Sequence, residues 1–375
     1  MPNLLIEIGT EELPLASLDM IYSELASKFK GVLDTYRLVF QDILVEATPR
    51  RIALFVSALA SRQTDKIVEI TGPSLEKAYD SDGRPTAALQ GFLKSKEVSA
   101  KDAKVKETPK GKFVVVQKKE IGKPAASVLN TVFHEILSAL NFPKTMRWES
   151  TGMRFPRPVR WLVVLLGDKV IRLQLADVKS GNQSFGHRFL SPKPFVLRRA
   201  DWKVYEHSLK RAHVILSLRA REEMIRKALQ GRFHQRHYDE DLIHTTAQLV
   251  EEPFLMEGNF SKTYLELPAE VLASCMKKNQ KIFACYDAKG HLTGRFVAVL
   301  NGKRSGLSKI RAGYENVLDA RLRDARYFFE ADSKEPLEKK LPLLEQIVYL
   351  GRLGNMREKT DRLEKLAEAF ASFVG

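Results

Sequence analysis

Apolar and polar positions alternate with changing period along the chain, and each change marks an element. Leu4-Leu5-Ile6-Glu7-Ile8 is almost continuously apolar up to Gly9 and reads as a strand. From Thr10 the period becomes helical. Leu15, Leu18, Ile21, Tyr22, Leu25, Ala26 and Phe29 recur on one face, with Thr10 as cap and Glu11 and Glu12 set against the helix dipole. Glu7, Glu11 and Glu12 could also form an acidic metal or catalytic cluster, but a strand-helix junction explains them without one. Residues 43–47 and 52–59 predict two strands about Thr48-Pro49-Arg50-Arg51, a turn with two arginines at its tip, open to phosphate or simply exposed. Residues 87–94 predict a short helix. The lysine-rich residues 95–112, nearly without large apolar side chains, predict a mobile excursion, and residues 113–117 a strand. A helix begins at Pro124, with Val128, Leu129, Val132, Phe133, Ile136, Leu137 and Leu140 on one face.

Residues 144–190 carry the strongest pattern. A basic, aromatic, proline-punctuated loop precedes the apolar run 161–166, which is too continuous for a half-exposed strand, so both of its faces should be covered. The turn Gly167-Asp168 leads to a second strand-like run, residues 170–175. Pro156 and Pro158 keep the loop extended. Its five basic residues against the single acid Glu149 suit either a solvated rim or an anion-binding face.

Beyond Pro192 and Pro194 the chain turns strongly basic, and residues 217–229 predict a charged, exposed helix. Short strands are expected at residues 253–258 and 263–267. A helix from Pro268 ends in the basic cluster Lys277, Lys278 and Lys281, which either complements the helix C-terminus or reaches an anion. Asp287-Ala288-Lys289-Gly290 signals a hairpin, followed by a loop bearing Lys303 and Arg304. Leu318, Leu322, Ala325 and Phe329 form a helical stripe. Asp319 should pair with Arg323 four residues on, leaving Arg321 and Arg326 as the freer cations. Gly351 and Gly354 copy the spacing of a KH-type loop without its flanking strands. The sum is an α+β protein: residues 1–195 as an α/β domain with a mixed sheet, 196–330 as a second α+β domain, and 331–375 as a helical segment.

Charge sharpens this picture. There are 61 Lys and Arg against 46 Asp and Glu, a formal net charge of +15, which favours a polyanion: RNA, DNA or an anionic membrane. No apolar run approaches the roughly 18–20 residues of a spanning helix, and no secretory signal pattern opens the chain. No membrane partner and a cytoplasmic location are therefore expected. Cys275 and Cys285 form neither a metal pattern nor a disulfide framework. His234 and His237, with His244 further on, lack a third ligand at zinc spacing and sit in basic surroundings, so no metal is expected. No phosphate-cradling loop, dinucleotide fingerprint or Ser-His-Asp set is present, which leaves no site for amino-acid activation.

Several segments carry a family resemblance when taken together. They are LLIEIGTEELP (residues 4–14), ATPRRIAL (47–54), MRWES (146–150), RFPRPVRWLVVLLGDKVI (154–171) and GHRF (186–189). MKKNQKIF (276–283), ENVLDARLRDARYFFEAD (315–332) and LGRLGNMREKTDRLEKLA (350–367) complete the set. In this order and spacing they resemble the β subunit of the bacterial tetrameric glycyl-tRNA synthetase. The resemblance implies a B3/B4-like region, as in the phenylalanyl enzyme's β chain, followed by the start of a helical HD-like domain. It makes the chain an N-terminal fragment without most of the HD-like and the anticodon-binding domains, inactive alone. It implies two partners, tRNA(Gly) and the α subunit of an α2β2 assembly, where ATP with Mg would bind; no cofactor is expected in this chain. Charge and loop position then nominate Arg147, Arg154, Arg157, Arg160, His187, Arg188, Lys277, Lys278 and Lys281 for tRNA contact. Trp148 and Phe155 could stack on an unpaired base or fill a core. The rival functions are an editing module and a general structured-RNA scaffold. Glycine argues against editing, because a tight pocket excludes every larger amino acid.

Overall fold

The computed structural model describes residues 1–109, 111–233, 239–302 and 305–374, the side chains of residues 231–233 excepted. Two compact units divide the chain. The first comprises Met1–Arg226, Ile243–Phe254 and Leu300–Lys303; the second comprises Lys227–Leu242, Leu255–Val299 and Arg304–Gly375.

The first unit is built on a five-stranded sheet. Its order is Asp42–Thr48, Arg51–Ser57, Leu4–Thr10, Val159–Leu166 and Lys169–Val170, each neighbour antiparallel. Leu4–Thr10 lies at the centre and is buried along its whole length. Strand Val159–Leu166 has both faces covered, as its continuous apolar run predicts. Leu162 and Val164 pack with the helices Leu15–Thr35 and Ala125–Ala139. Trp161, Val163 and Leu165 pack with Tyr205 and Leu209 of the helix Trp202–Arg211. That second layer corrects the expected boundary at residue 195. Leu197, Tyr205 and Leu209 complete a core of the first sheet, so the chain is committed to this unit well beyond Pro194.

Two further expectations change for reasons of backbone bonding. The first helix starts at Leu15 rather than Thr10. The Thr10 amide donates to Arg50 O at 2.8 Å and the Glu11 amide to Pro158 O at 2.9 Å, so both residues are tied to the sheet, with Thr10 ending the strand, and the helix begins beyond them. Residues 95–112 contain a strand, Ala103–Thr108, paired with Gly111–Glu120. These two and Lys66–Ser74 form a small sheet on which the helix Ala87–Lys96 buries Leu89 and Leu93 against Val114 and Val116. The second arm of the predicted hairpin shrinks to Lys169–Val170. The fold is α+β, with a parallel bridge between Val163 and Gly181.

In the second unit the hairpin Ile282–Tyr286 and Leu292–Asn301 closes over the expected turn, with the Asp287 amide donating to His291 O at 2.9 Å. The helix Ala269–Cys275 widens into a π turn, Met276–Gln280, and stops at Lys281 in the left-handed region (φ 53°). Residues 262–266 form a 3-10 turn rather than a strand. The helix Leu307–Ser333 buries Leu318 and Leu322, and Met356–Val374 ends the described chain as a helix. Among the described residues no helix is long and apolar enough to cross a membrane.

Candidate nucleic-acid interface

Strand periodicity assembles the site. Leu5, Glu7 and Gly9 share one face of the central strand. Glu7 stands opposite Ala53 and Val163, and Gly9 opposite Arg51 and Trp161. Gly9 is required there, because a Cβ would lie 1.9 Å from the Trp161 ring. The indole fills that space and donates from Nε1 to Glu7 Oε1 at 2.9 Å. Ser184 Oγ donates to the same oxygen at 2.9 Å. The third donor is Arg51 Nη1, at 2.9 Å, while Arg51 Nε reaches Glu251 Oε1 at 3.2 Å. Thr48 Oγ1 donates to Glu251 Oε1 at 2.7 Å.

All three charged groups are buried. Burial alone would pull the Arg51 pKa down, but the carboxylates of Glu251 and Glu7 outweigh it and hold it above the ordinary arginine value. Tyr205 lies beside them, its phenol pushed well above the usual range by burial and then by Glu7. Glu7 is therefore an ion-pair partner, neither a cap nor part of a metal cluster with Glu11 and Glu12. Arg51 is interior rather than exposed at a turn tip.

Above this network opens a cleft of about 230 Å³, lined by Arg50, Arg160, Trp161, Phe185 and Arg188 among others. Glu11 pairs with Arg160 at 3.4 Å and also with Arg188. Arg50 lies with its guanidinium carbon 5.6 Å from the Trp161 ring centre.

The nine nominated residues separate accordingly. Arg160 and Arg188 meet at the cleft. Arg147 and Arg154 are exposed beside the bridge between Met146 and Phe155, and Arg154 Nε donates to Thr145 Oγ1 at 3.2 Å. Arg157 is half-buried and donates to Pro156 O at 3.0 Å. His187 is a correction. It is 1% exposed, its amide held by Ala212 O at 2.9 Å and its Nε2 3.0 Å from Asn301 Oδ1, so it is a structural post out of reach of RNA. Lys277, Lys278 and Lys281 belong to the second unit. Lys277 pairs with Asp239 at 2.7 Å, Lys281 Nζ donates to Lys278 O at 3.2 Å, and Lys278 is exposed.

Other expectations resolve beside these. Phe155 is buried edge-on to Phe142, ring centres 5.1 Å apart, and Trp148 packs on the same core, so packing takes both. Arg323 pairs with Asp319 at 3.1 Å as its spacing predicts. Arg326 is engaged too, 4.9 Å over the Tyr264 ring and 3.6 Å from Glu266. His244 Nδ1 sits 2.6 Å from Glu222 Oε1. His234, His237, Lys303 and Arg304 lie outside the described residues. Among the described residues no three metal-capable side chains cluster.

Sequence reasoning undervalued Arg50 and did not single out Glu251 or Tyr205. The usable signal was Glu7 itself, a lone charge inside a run of buried apolar residues.

The profile of the family described as glycyl-tRNA synthetase beta subunit matches residues 4–374. The chain is 38% identical over 369 residues to the glycine–tRNA ligase beta subunit of Moorella thermoacetica, covering 97% of this chain and 53% of that protein. It is 38% identical over 377 residues to the protein of the same name from Desulforudis audaxviator, covering 100% and 54%. A third relative of that name, from Geotalea uraniireducens, is 36% identical over 376 residues. The chain thus spans about half the length of the curated relatives it matches. With its profile matched from the first strand to the last helix, the chain belongs to the glycyl-tRNA synthetase beta subunit family.

Proposed function

We propose that this chain serves a cytoplasmic glycine–tRNA ligase as a tRNA-binding and assembly part. It supports the ATP-dependent attachment of glycine to tRNA(Gly) by a catalytic α subunit in a heterotetramer, where ATP and Mg bind. The single observation that carries the reading is the family match over residues 4–374. The exposed arginines of the first unit support the RNA half of it. Arg147, Arg154 and Arg160 face solvent, and only Arg160 has a carboxylate partner among the described residues. Such groups supply phosphate contacts that position RNA without reading its sequence.

Two measurements test it. Light-scattering mass of this chain mixed with a purified α subunit should give a joint species, and glycylation of tRNA(Gly) by that mixture tests the activity. Fluorescence anisotropy with labelled tRNA should show affinity falling steeply with salt, and Arg154→Glu with Arg157→Glu should weaken it at least tenfold. Unchanged affinity in the folded double variant would reduce that loop to a solvated rim.

A further inference from the structure

Buried side-chain polar atoms almost always find hydrogen-bond partners. Arg50 Nε has none among the described residues. Arg50 also lines the open cleft. It is 9% exposed and forms no ion pair among the described residues.

The local charges explain why it is left over. Arg51 engages Glu7 and Glu251. Arg160 and Arg188 share Glu11. Four guanidinium groups thus meet three carboxylates, and Arg50 carries the unmatched charge. Burial lowers its pKa, Glu251 and more weakly Glu11 oppose that, and Arg188 and Arg51 add to the lowering. An arginine does not deprotonate in a protein, so the cation persists and is open to an anion from outside the chain. Its planar fork suits two oxygens of one phosphate. The space, about 230 Å³, is below the usual range for a whole small-molecule ligand and fits one phosphate with its flanking sugar. One unmatched positive charge corresponds to the single negative charge of a phosphodiester.

We propose that Arg50, flanked by Arg160 and Arg188 over the Trp161–Phe185 wall, is the seat for one backbone phosphodiester of a bound RNA. The proposal rests on the RNA-binding reading above and adds the place where one phosphate is held. Arg50 supplies the buried charge; Arg160 and Arg188 form the rim.

The test is anisotropy of labelled tRNA with the full chain across a salt series, for wild type, Arg50→Gln, Arg50→Lys and Arg188→Gln. Wild type should bind with a steep log–log salt slope. Arg50→Gln should lower its magnitude by about 0.7–0.9, one phosphate's worth, and weaken binding about tenfold at low salt. Arg50→Lys should keep most of the slope while losing affinity, because a point charge replaces the fork. A folded Arg50→Gln protein with wild-type slope and affinity overturns the seat and leaves the RNA reading standing. If Arg50→Gln does not fold, Arg188→Gln on the exposed rim decides, and an unchanged slope there overturns the proposal. If wild type binds no tRNA, the RNA reading fails and the phosphodiester seat fails with it. Inorganic phosphate, scored by melting temperature, then shows separately whether a free anion occupies the cleft.

Discussion

Arg51→Met is the sharpest probe of the buried network. Methionine keeps most of the volume but removes the cation that joins Glu7, 2.9 Å away, to Glu251, 3.2 Å away, at a site with no solvent exposure. Breaking a buried pair by removing one partner costs about 3–5 kcal/mol. Proton uptake sets a ceiling on that loss. For a carboxyl with the ordinary glutamate pKa, protonation at pH 7 costs about 3.7 kcal/mol, and at pH 5 about 1 kcal/mol. Two carboxylates lose the cation, so we expect the variant to lose about 3–5 kcal/mol at pH 7 and at most about 2 kcal/mol at pH 5. The sign follows from linkage. A variant that protonates a carboxyl on folding binds more protons folded than unfolded, so its stability relative to wild type falls as pH rises. Urea denaturation followed by tryptophan fluorescence is the assay, because Trp148, Trp161 and Trp202 all lie in the first unit and report on it alone. A loss below about 1 kcal/mol at pH 7, or a loss independent of pH, would refute the reasoning.

Three further expectations are independent of that one. Gly9→Ala places a methyl 1.9 Å from the Trp161 ring and should destabilise the first unit by about 1–3 kcal/mol with a shifted tryptophan emission; a wild-type melting curve and spectrum would mean the ring is free to move. Arg323→Ala removes an exposed pair with Asp319 and should cost at most about 0.5 kcal/mol by circular dichroism melting, so a larger loss would reveal a contact beyond the pair. Burial pushes the Cys285 thiol up to about 12, whereas Cys275 is half-exposed, so iodoacetamide at pH 8 should label Cys275 alone until urea is added; equal labelling in peptide mass mapping would contradict the buried placement.

What the sequence revealed depends on the range of the force involved. Val159–Leu166 was legible because a strand covered on both faces must be apolar at every position, and that leaves a local pattern. Helix Ala125–Ala139 was legible for the corresponding helical reason. Arg51 was misplaced because its partners come from opposite ends of the unit. Glu7 stands 44 residues before it and Glu251 200 residues after it, and no spacing rule joins them. Glu11 misled in the other direction. Two acids before an apolar helical stripe look like a capped start, but sheet bonds hold Thr10 and Glu11, and Glu11 is used by Arg160 and Arg188. Residues 103–108 were unreadable as a strand because an edge strand paired on one side needs few large apolar side chains. The helical character of the last residues, by contrast, follows directly from their period.

The position of Leu4–Thr10 at the middle of its sheet also constrains how the chain is made. One neighbour, Arg51–Ser57, leaves the ribosome soon after it; the other, Val159–Leu166, arrives only after the small sheet and the helix Ala125–Ala139 have been synthesised. At roughly 5–20 residues per second, this fully buried central strand keeps one open edge for roughly five to twenty seconds. An open apolar edge is a template for pairing with another chain. Nascent chains stalled in that interval should therefore be the form of this protein most in need of a chaperone.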